Sequence, residues 1–213
     1  MQEKHIFLSL ILTKAEILAL KWSDIDFKNQ VISVNRTLVY AKCDDESDSR
    51  YGKKINKFHD PKTEKGRRRI PMTLRAYHIL KEQRIWKDEL LKKIKGRKAP
   101  KGFEDLVFVT TRNAPVSRND TNLVMKIISD RIAEKHENFK PLTPHTLRHT
   151  FATRCIERGM NPKTLQIILG HANINMTMNL YCHVTDDTLF AEMEKFEAES
   201  QADTNYSNGV KVV

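Results

Sequence analysis

Two histidines and an arginine stand close together within residues 143–153. A capping threonine followed by Pro144 predicts a helix that begins here and runs to about Arg158. On this helix His145 and Arg148 are three residues apart and share one face. Together they suit a phosphate, because the guanidinium donates two hydrogen bonds and the imidazole can carry a proton. A solvated helix face with an incidental histidine would show the same spacing.

His145 and His149 are also four residues apart, as zinc-binding histidines are. Thr146 occupies the place of the glutamate that a zinc protease needs, and no cysteine or acidic residue completes a ligand set. Seven glycines in 213 residues leave no glycine-rich phosphate loop. The sequence therefore predicts neither a metal site nor a bound cofactor.

A second group of candidates lies downstream, at Gly170-His171, Tyr181 and Cys182. The histidine and the tyrosine could each be structural, the tyrosine as a half-buried aromatic with a hydrogen-bonded hydroxyl. No neighbouring residue lowers the pKa of the Cys182 thiol specifically, so we interpret it as a packing residue.

The charge of the chain predicts a polyanionic partner. There are 37 basic and 27 acidic residues, a formal net charge of +10. Residues 191–213 hold five acidic residues and two lysines, so residues 1–190 carry +13. Such a body is expected to bind nucleic acid before a membrane surface. No apolar stretch approaches the ~20 residues needed to span a bilayer. Three widely spaced cysteines argue against a disulfide framework and for a reducing compartment, the cytoplasm.

The order of elements predicts an α+β fold, mostly helical, with a small antiparallel sheet. Strands are expected at about residues 31–40, 59–72 and 106–109. Helices are expected at about residues 3–20, 73–95, 122–136, 143–158, 162–170, 175–181 and 186–200. In the third of these helices the side chains expected to face inward are Leu123, Ile127, Ile128 and Ile132.

The segment from Thr143 to Val184 resembles the C-terminal signature of the tyrosine recombinases, the phage-integrase family. Its pattern is His-x-x-Arg-His, then Leu-Gly-His, then a tyrosine nine or ten residues later, and the chain matches each point. Three further stretches resemble the family in the same order, "AEILALKWSDIDF", "PKTEKGRRRIPM" and "LVFVTTRNAPVS". The resemblance covers about residues 6–190. It implies a catalytic domain over 1–190, followed by an acidic helix end and a disordered tail over 191–213.

The resemblance also implies a reaction. Tyr181 would attack a DNA phosphodiester, form a 3′-phosphotyrosyl link and release a 5′-hydroxyl, with no need for ATP or a metal. Arg148 would stabilise the phosphate oxygens. His145 and His171 would orient the phosphate and manage the tyrosine proton, and Lys62 would protonate the leaving 5′-oxygen. Taken alone, Lys62 is one solvated lysine among many.

One catalytic residue of the family has no counterpart here. The family has Thr-Gly-x-Arg before a glutamate, whereas this chain passes directly from Thr13 to Lys14 and reaches Glu16. Lys14 is not an evident replacement, because it follows the gap and lacks a guanidinium. Either the three residues are deleted or a short loop is missing from the sequence as written, and the close match on both sides favours the second explanation. The rival to an active enzyme is a relic that binds DNA without cutting it.

The partners expected from these observations are double-stranded DNA and further copies of the chain, assembled as a tetramer on DNA. The family's N-terminal DNA-binding domains have no counterpart, so we expect part of a longer recombinase. Docking of the acidic helix on a neighbouring copy is a hypothesis. Only about half of the basic side chains on a strand can face one surface. The candidate DNA contacts are Lys53, Lys54, Lys65, Arg67, Arg68 and Arg69.

Overall fold

The computed structural model describes residues 8–137 and 139–181, together with residues 193, 194 and 197. Six α-helices and two small antiparallel sheets in this part of the chain confirm the α+β fold class. The helices are α1 (Lys14–Ala19), α2 (Leu74–Lys93), α3 (Arg118–Ala133), α4 (Pro144–Glu157), α5 (Pro162–Leu169) and α6 (Asn175–Tyr181). The strands are β1 (Ile25–Asp26), β2 (Val31–Val34), β3 (Thr37–Lys42), β4 (Lys54–His59) and β5 (Arg68–Pro71). Short 3-10 helices cover Trp22–Asp24 and Glu64–Gly66.

The first described helix is much shorter than the helix predicted over residues 3–20. The chain forms a turn in which the Leu12 N–H donates to the Leu8 carbonyl at 2.8 Å, and α1 begins only at residue 14. Thr13 stops any longer helix, because it caps α1 reciprocally with Glu16. The Glu16 carboxylate accepts from the Thr13 N–H at 2.7 Å, and the Thr13 hydroxyl accepts from the Glu16 N–H at 3.4 Å. Residues 3–7 lie outside the described part.

Two of the predicted strands are each divided. In one sheet β2 lies between β1 and β5, and in the other β3 pairs with β4. The strand predicted over 31–40 breaks at Asn35 and Arg36, because Asp24 accepts hydrogen bonds from both side chains at 2.9 and 2.6 Å. The strand predicted over 59–72 is wrong in its first half, where β4 has already ended and a 3-10 turn intervenes.

Residues 106–109 are buried but form only isolated bridges, so the strand predicted there is wrong. Two side chains of α2 occupy carbonyls that a neighbouring strand would otherwise use. Lys87 Nζ donates to the carbonyls of Glu104 and Leu106 at 3.0 and 2.6 Å. Gln83 Nε2 donates to the Val107 carbonyl at 3.0 Å. Helix α2 therefore holds this segment against the main core, whose buried members include Leu12, Ile17, Ile32, Ile70 and Leu80.

Of the four side chains of α3 predicted to face inward, Ile128 and Ile132 are half-buried and the other two are exposed. Leu123 and Ile127 are 58% and 41% exposed. Ser129 explains the orientation, because its hydroxyl donates to the Met125 carbonyl and accepts from the Leu142 N–H, both at 2.8 Å. That contact turns a mixed polar and apolar face toward the segment before α4. Its buried side chains are Thr121, Val124, Met125 and Ser129.

The helices nearest the candidate site begin and end close to where the sequence predicts. The Thr143 hydroxyl caps α4 and the Asn161 side chain caps α5, each followed by proline. Gly170 ends α5 at φ 68°. The helix predicted over residues 186–200 falls on a stretch of which only three residues are described. None of the helices in the described part of the chain is long and apolar enough to cross a membrane.

Candidate functional site

Arg148 joins three segments that are distant in sequence. Its Nη1 donates to the Ile11 carbonyl at 2.8 Å, and its Nη2 donates to the Leu169 carbonyl at the end of α5. Burial lowers the pKa of this guanidinium to about 10, an effect that the Glu16 carboxylate opposes and the Arg68 charge increases. The side chain therefore stays cationic at neutral pH.

His145 and Arg148 line one cleft, with a volume of about 440 Å³. The N-terminal ends of α3 and α4 both reach this cleft, which favours an anion there. None of the described residues that line it is acidic. The other polar residues of its wall are Thr13, Lys14, Arg118, Asn122 and Thr143.

His171 follows α5 and is held by α6. Its Nδ1 lies 2.9 Å from the hydroxyl of Thr177, a side chain with no exposed surface. Burial is the main cause that lowers the pKa of His171 to about 4, and the charges of Arg148, Arg68 and His149 contribute to the same shift. The imidazole is therefore neutral at pH 7, with one nitrogen engaged by Thr177.

Tyr181 is the last residue of α6, which packs on α4 and α5. Its backbone lies four residues after Thr177, about 6 Å further along the helix axis. The fold thus brings the backbone of Tyr181 to the elements that hold His145, Arg148 and His171.

Lys62 is exposed in the turn that follows β4. No hydrogen bond or ion pair within the described residues ties it to the other candidates. Lys65, three residues later, does reach them, because its Nζ donates to the carbonyl of Ala172 at 2.7 Å. The turn that carries Lys62 is therefore fastened beside His171.

Arg68 is buried, so its predicted role as a DNA contact is wrong. Its side chain is 3% exposed, and its Nη1 lies 2.7 Å from the Glu16 carboxylate. Burial raises the pKa of Glu16, but hydrogen bonds and the charge of Arg68 outweigh it, so the carboxyl stays below its usual range. Arg68 also donates to the Ile168 and Gly66 carbonyls at 2.9 and 3.2 Å. Strand alternation turns this side chain inward.

The other candidate DNA contacts, Lys53, Lys54, Lys65, Arg67 and Arg69, are exposed. Arg67 donates to the Asp60 carboxylate at 2.7 Å. Within the described residues, no group of three or more His, Cys, Asp or Glu side chains is placed to hold a metal ion.

Sequence reasoning missed three residues of this region. Arg118 follows a capping serine with an aspartate at the third helical position, a start signal for α3 that the prediction placed four residues too late. Lys14 reaches the cleft although it stands after the gap in the family pattern. Thr177 gives no signal in the sequence, because its role depends on contact with His171.

The sequence profile of the phage integrase family matches residues 5–188. The transposase of transposon Tn916 from Enterococcus faecalis is 36% identical over 197 residues, which are 92% of this chain and 45% of the relative. A XerC-like tyrosine recombinase of Caldanaerobacter subterraneus is 34% identical over 176 residues, 81% of this chain and 42% of that protein. The chain spans less than half the length of these relatives.

Solved structures agree with the sequence matches. The integrase of transposon Tn1549, in complex with transposon right end DNA, superposes with a TM-score of 0.69 at 32% identity, over 91% of this chain and 57% of the integrase. The XerA recombinase shares the fold, with a TM-score of 0.53 at 24% identity, over 92% of this chain and 58% of XerA. This chain belongs to the phage integrase family, the tyrosine recombinases.

Proposed function

We propose that this chain is the catalytic part of a site-specific DNA recombinase that integrates or excises a phage or transposable element. One observation carries the proposal: α6 sets Thr177 against His171 and ends at Tyr181, beside the helix that bears His145 and Arg148. A tyrosine carried by a helix that packs on the helix bearing His145 and Arg148 suits attack on a phosphodiester.

The proposed step exchanges one phosphoester bond for another. The Tyr181 oxygen forms a bond to phosphorus at the DNA 3′ side, while the bond from phosphorus to the 5′-oxygen breaks. Lys62 gives a proton to the departing 5′-oxygen. A second 5′-hydroxyl then attacks the phosphotyrosyl link and frees the tyrosine. The number of phosphoester bonds is unchanged, so the step needs no ATP.

The site geometry divides the supporting roles. Arg148, which keeps its charge at neutral pH, stabilises a non-bridging oxygen. His171 is a weak base, because its pKa is lowered to about 4 by burial and nearby cations, so it acts as a hydrogen-bond donor to the phosphate. The proton of Tyr181 then passes to His145.

The partner is double-stranded DNA, in line with the Tn1549 integrase, whose structure contains DNA. The exposed basic residues between Lys53 and Arg69 add salt-dependent, sequence-independent affinity. We place the protein in the cytoplasm, on the nucleoid when DNA is bound, and expect a tetramer on DNA. Residues 1–190 form the catalytic domain in this proposal. The relatives are a transposase, an integrase and recombinases, which lends no support to a non-cutting relic.

Covalent trapping tests the proposal. Duplexes selected from a random pool for binding to this chain are nicked near each candidate cleavage position, so that a short 5′-hydroxyl strand can diffuse away. We expect an adduct that survives SDS and disappears in Tyr181→Phe, while DNA affinity is retained. Tight binding with no adduct on any nicked duplex would contradict the proposal.

A further inference from the structure

We propose that Lys14 and Arg118 are two further catalytic residues, which together hold the non-bridging oxygens of the DNA phosphate in the cleft beside His145 and Arg148. The inference rests on the proposed function and names the cations that serve it. The family pattern gives no reason to assign this role to either residue, so the inference rests on where the two side chains lie in the cleft.

The reaction needs several cations around the phosphate. A phosphodiester in its pentacoordinate state carries negative charge on two non-bridging oxygens, and each needs donors. Arg148 has five N–H donors, and two of them are committed to the carbonyls of Ile11 and Leu169. The two carbonyls fix the position of the Arg148 guanidinium, so its remaining N–H groups cannot turn freely toward both oxygens. Further cations must come from other residues of the cleft.

Two cationic side chains of the cleft have no carboxylate partner among the described residues. Lys14 and Arg118 both line the cleft with His145 and Arg148. Lys14 Nζ donates to the Asn122 side chain on the adjoining turn of α3, which holds the ammonium at the wall. Arg118 is exposed, and no hydrogen bond or ion pair within the described residues engages its guanidinium. Its donors are therefore available to a ligand.

The positive charges of Lys14 and Arg118 repel each other. Burial lowers the pKa of Lys14, and the charge of Arg118 lowers it further, so the two cations are close enough to repel each other. Among the residues that the structure describes, no carboxylate lines the cleft to relieve this repulsion. An anion placed between the two side chains would do so, and the N-terminal ends of the long helices α3 and α4 favour the same charge. The occupant is a DNA phosphate, because the cleft is open and borders His145 and Arg148.

The test begins with inorganic phosphate as the probe, titrated into the ¹⁵N-labelled chain and followed by amide chemical shifts. Lys14→Met and Arg118→Met each remove a charge and keep an apolar stem. Lys126→Met is the matched control, because Lys126 is exposed on α3 and does not line the cleft. We expect shifts at residues 117–120 and 143–146 in the wild type, and at least fivefold weaker phosphate binding in both cleft variants. Lys126→Met should bind as the wild type does.

A conservative variant guards against a trivial loss of structure. Lys14→Arg keeps the charge and should retain phosphate binding, while Lys14→Met should lose it at an unchanged melting temperature. The second readout is the rate of adduct formation on one nicked duplex in a single turnover. Loss of one such donor typically lowers the rate by ~10²–10³, so we expect that range for each cleft variant and no change for Lys126→Met.

The outcomes separate the two proposals. Weaker phosphate binding together with slower adduct formation supports both. Weaker phosphate binding in a chain whose wild type never forms an adduct supports the cleft and overturns strand transfer. Phosphate binding by Lys14→Met and Arg118→Met that equals that of Lys126→Met overturns the cleft, whatever the adduct assay shows.

Discussion

Two groups of basic residues in this molecule differ in what their donors contact. In the buried node formed by Arg68 and Glu16, the guanidinium meets a carboxylate and two backbone carbonyls and is closed to solvent. In the cleft, Lys14 and Arg118 lie close together, and no acidic residue in the described part of the chain lines the wall. The node joins β5 to α1 and to the end of α5, and its hydrogen-bond acceptors all belong to the protein. In the cleft, the N–H groups of Arg118 have no acceptor among the described residues and are available to a ligand.

Whether a basic residue can bind DNA therefore depends on the acceptors that its side chain already contacts, and not on its neighbours in sequence. Arg67, Arg68 and Arg69 are consecutive, yet only the middle one is buried. Arg118 has no basic neighbour in sequence, and no hydrogen bond or ion pair within the described residues engages its guanidinium. If a structural node and a binding cleft are distinct, substitutions in the node should change stability, whereas substitutions in the cleft should change phosphate binding.

The largest effect is expected from Arg68→Met. It leaves the Glu16 carboxylate buried without its partner, which typically costs about 3–5 kcal/mol of unfolding free energy. Urea denaturation of the variant measures it. Arg69→Met is the control, because Arg69 is exposed on the same strand, and it should leave the midpoint unchanged. Equal midpoints for the two variants would show that the node does not stabilise the fold.

A smaller loss is expected from Gly170→Ala than from the loss of Arg68. Gly170 has φ 68°, and an added Cβ would lie 2.7 Å from Arg68 Nη1, which the node holds in place. The control is Gly159→Ala, at φ 74° with open space around it. A left-handed alanine costs about 1 kcal/mol at either site, and the clash should add about 1–3 kcal/mol at Gly170. Equal losses of unfolding free energy would mean that Arg68 moves aside freely.

The stability of the fold should fall as pH drops from about 6.5 toward 4. The pKa of His171 is lowered to about 4 in the folded chain by burial and by nearby cations. The unfolded chain therefore binds this proton first, and stability present above pH 6.5 is lost on acidification. After allowance for solvent screening we expect a loss on the order of 1–2 kcal/mol.

His171→Gln should flatten this part of the pH profile in chemical denaturation, whereas His136→Gln, at an exposed position, should leave it intact. An unchanged slope in His171→Gln would show that the pKa of this imidazole is not lowered in the folded chain.

The smallest effect concerns Thr177. Its hydroxyl lies 2.9 Å from His171 Nδ1, and the proposed role of His171 requires the proton on Nε2, so Thr177 should donate to Nδ1. Thr177→Val keeps the shape and removes the donor, at a cost of about 1 kcal/mol. We expect the ¹⁵N spectrum of the imidazole to show the Nε2–H tautomer in the wild type and in Thr177→Ser, and a mixture in Thr177→Val. A dominant Nδ1–H tautomer in the wild type would contradict this assignment.

Local signals predicted the helices around the site well. A threonine or asparagine followed by proline opens α4 and α5, and a glycine in a left-handed conformation closes α5, so neighbouring residues alone determine those ends. The strands were predicted less well, because the break at Asn35 and Arg36 depends on Asp24, eleven residues away. The segment at 106–109 depends on Lys87 and Gln83 of another helix.

The site was predicted in part, for the same reason. Family motifs pointed to His145, Arg148 and His171, which the fold brings together. The pattern could not show that Arg68 pairs with Glu16 across 52 positions, since burial of a charge depends on tertiary packing. It also gave no reason to consider Lys14, because the side chain reaches the cleft through a tertiary contact, its hydrogen bond to Asn122 of α3.

The most direct test of the central claim is to identify the residue that carries DNA in a trapped adduct. Nuclease and trypsin digestion, followed by tandem mass spectrometry, would isolate the peptide spanning residues 164–195. The account predicts a nucleotide phosphate on Tyr181 and on no other residue of the chain. A phosphate on a different side chain, with this peptide recovered unmodified, would contradict it.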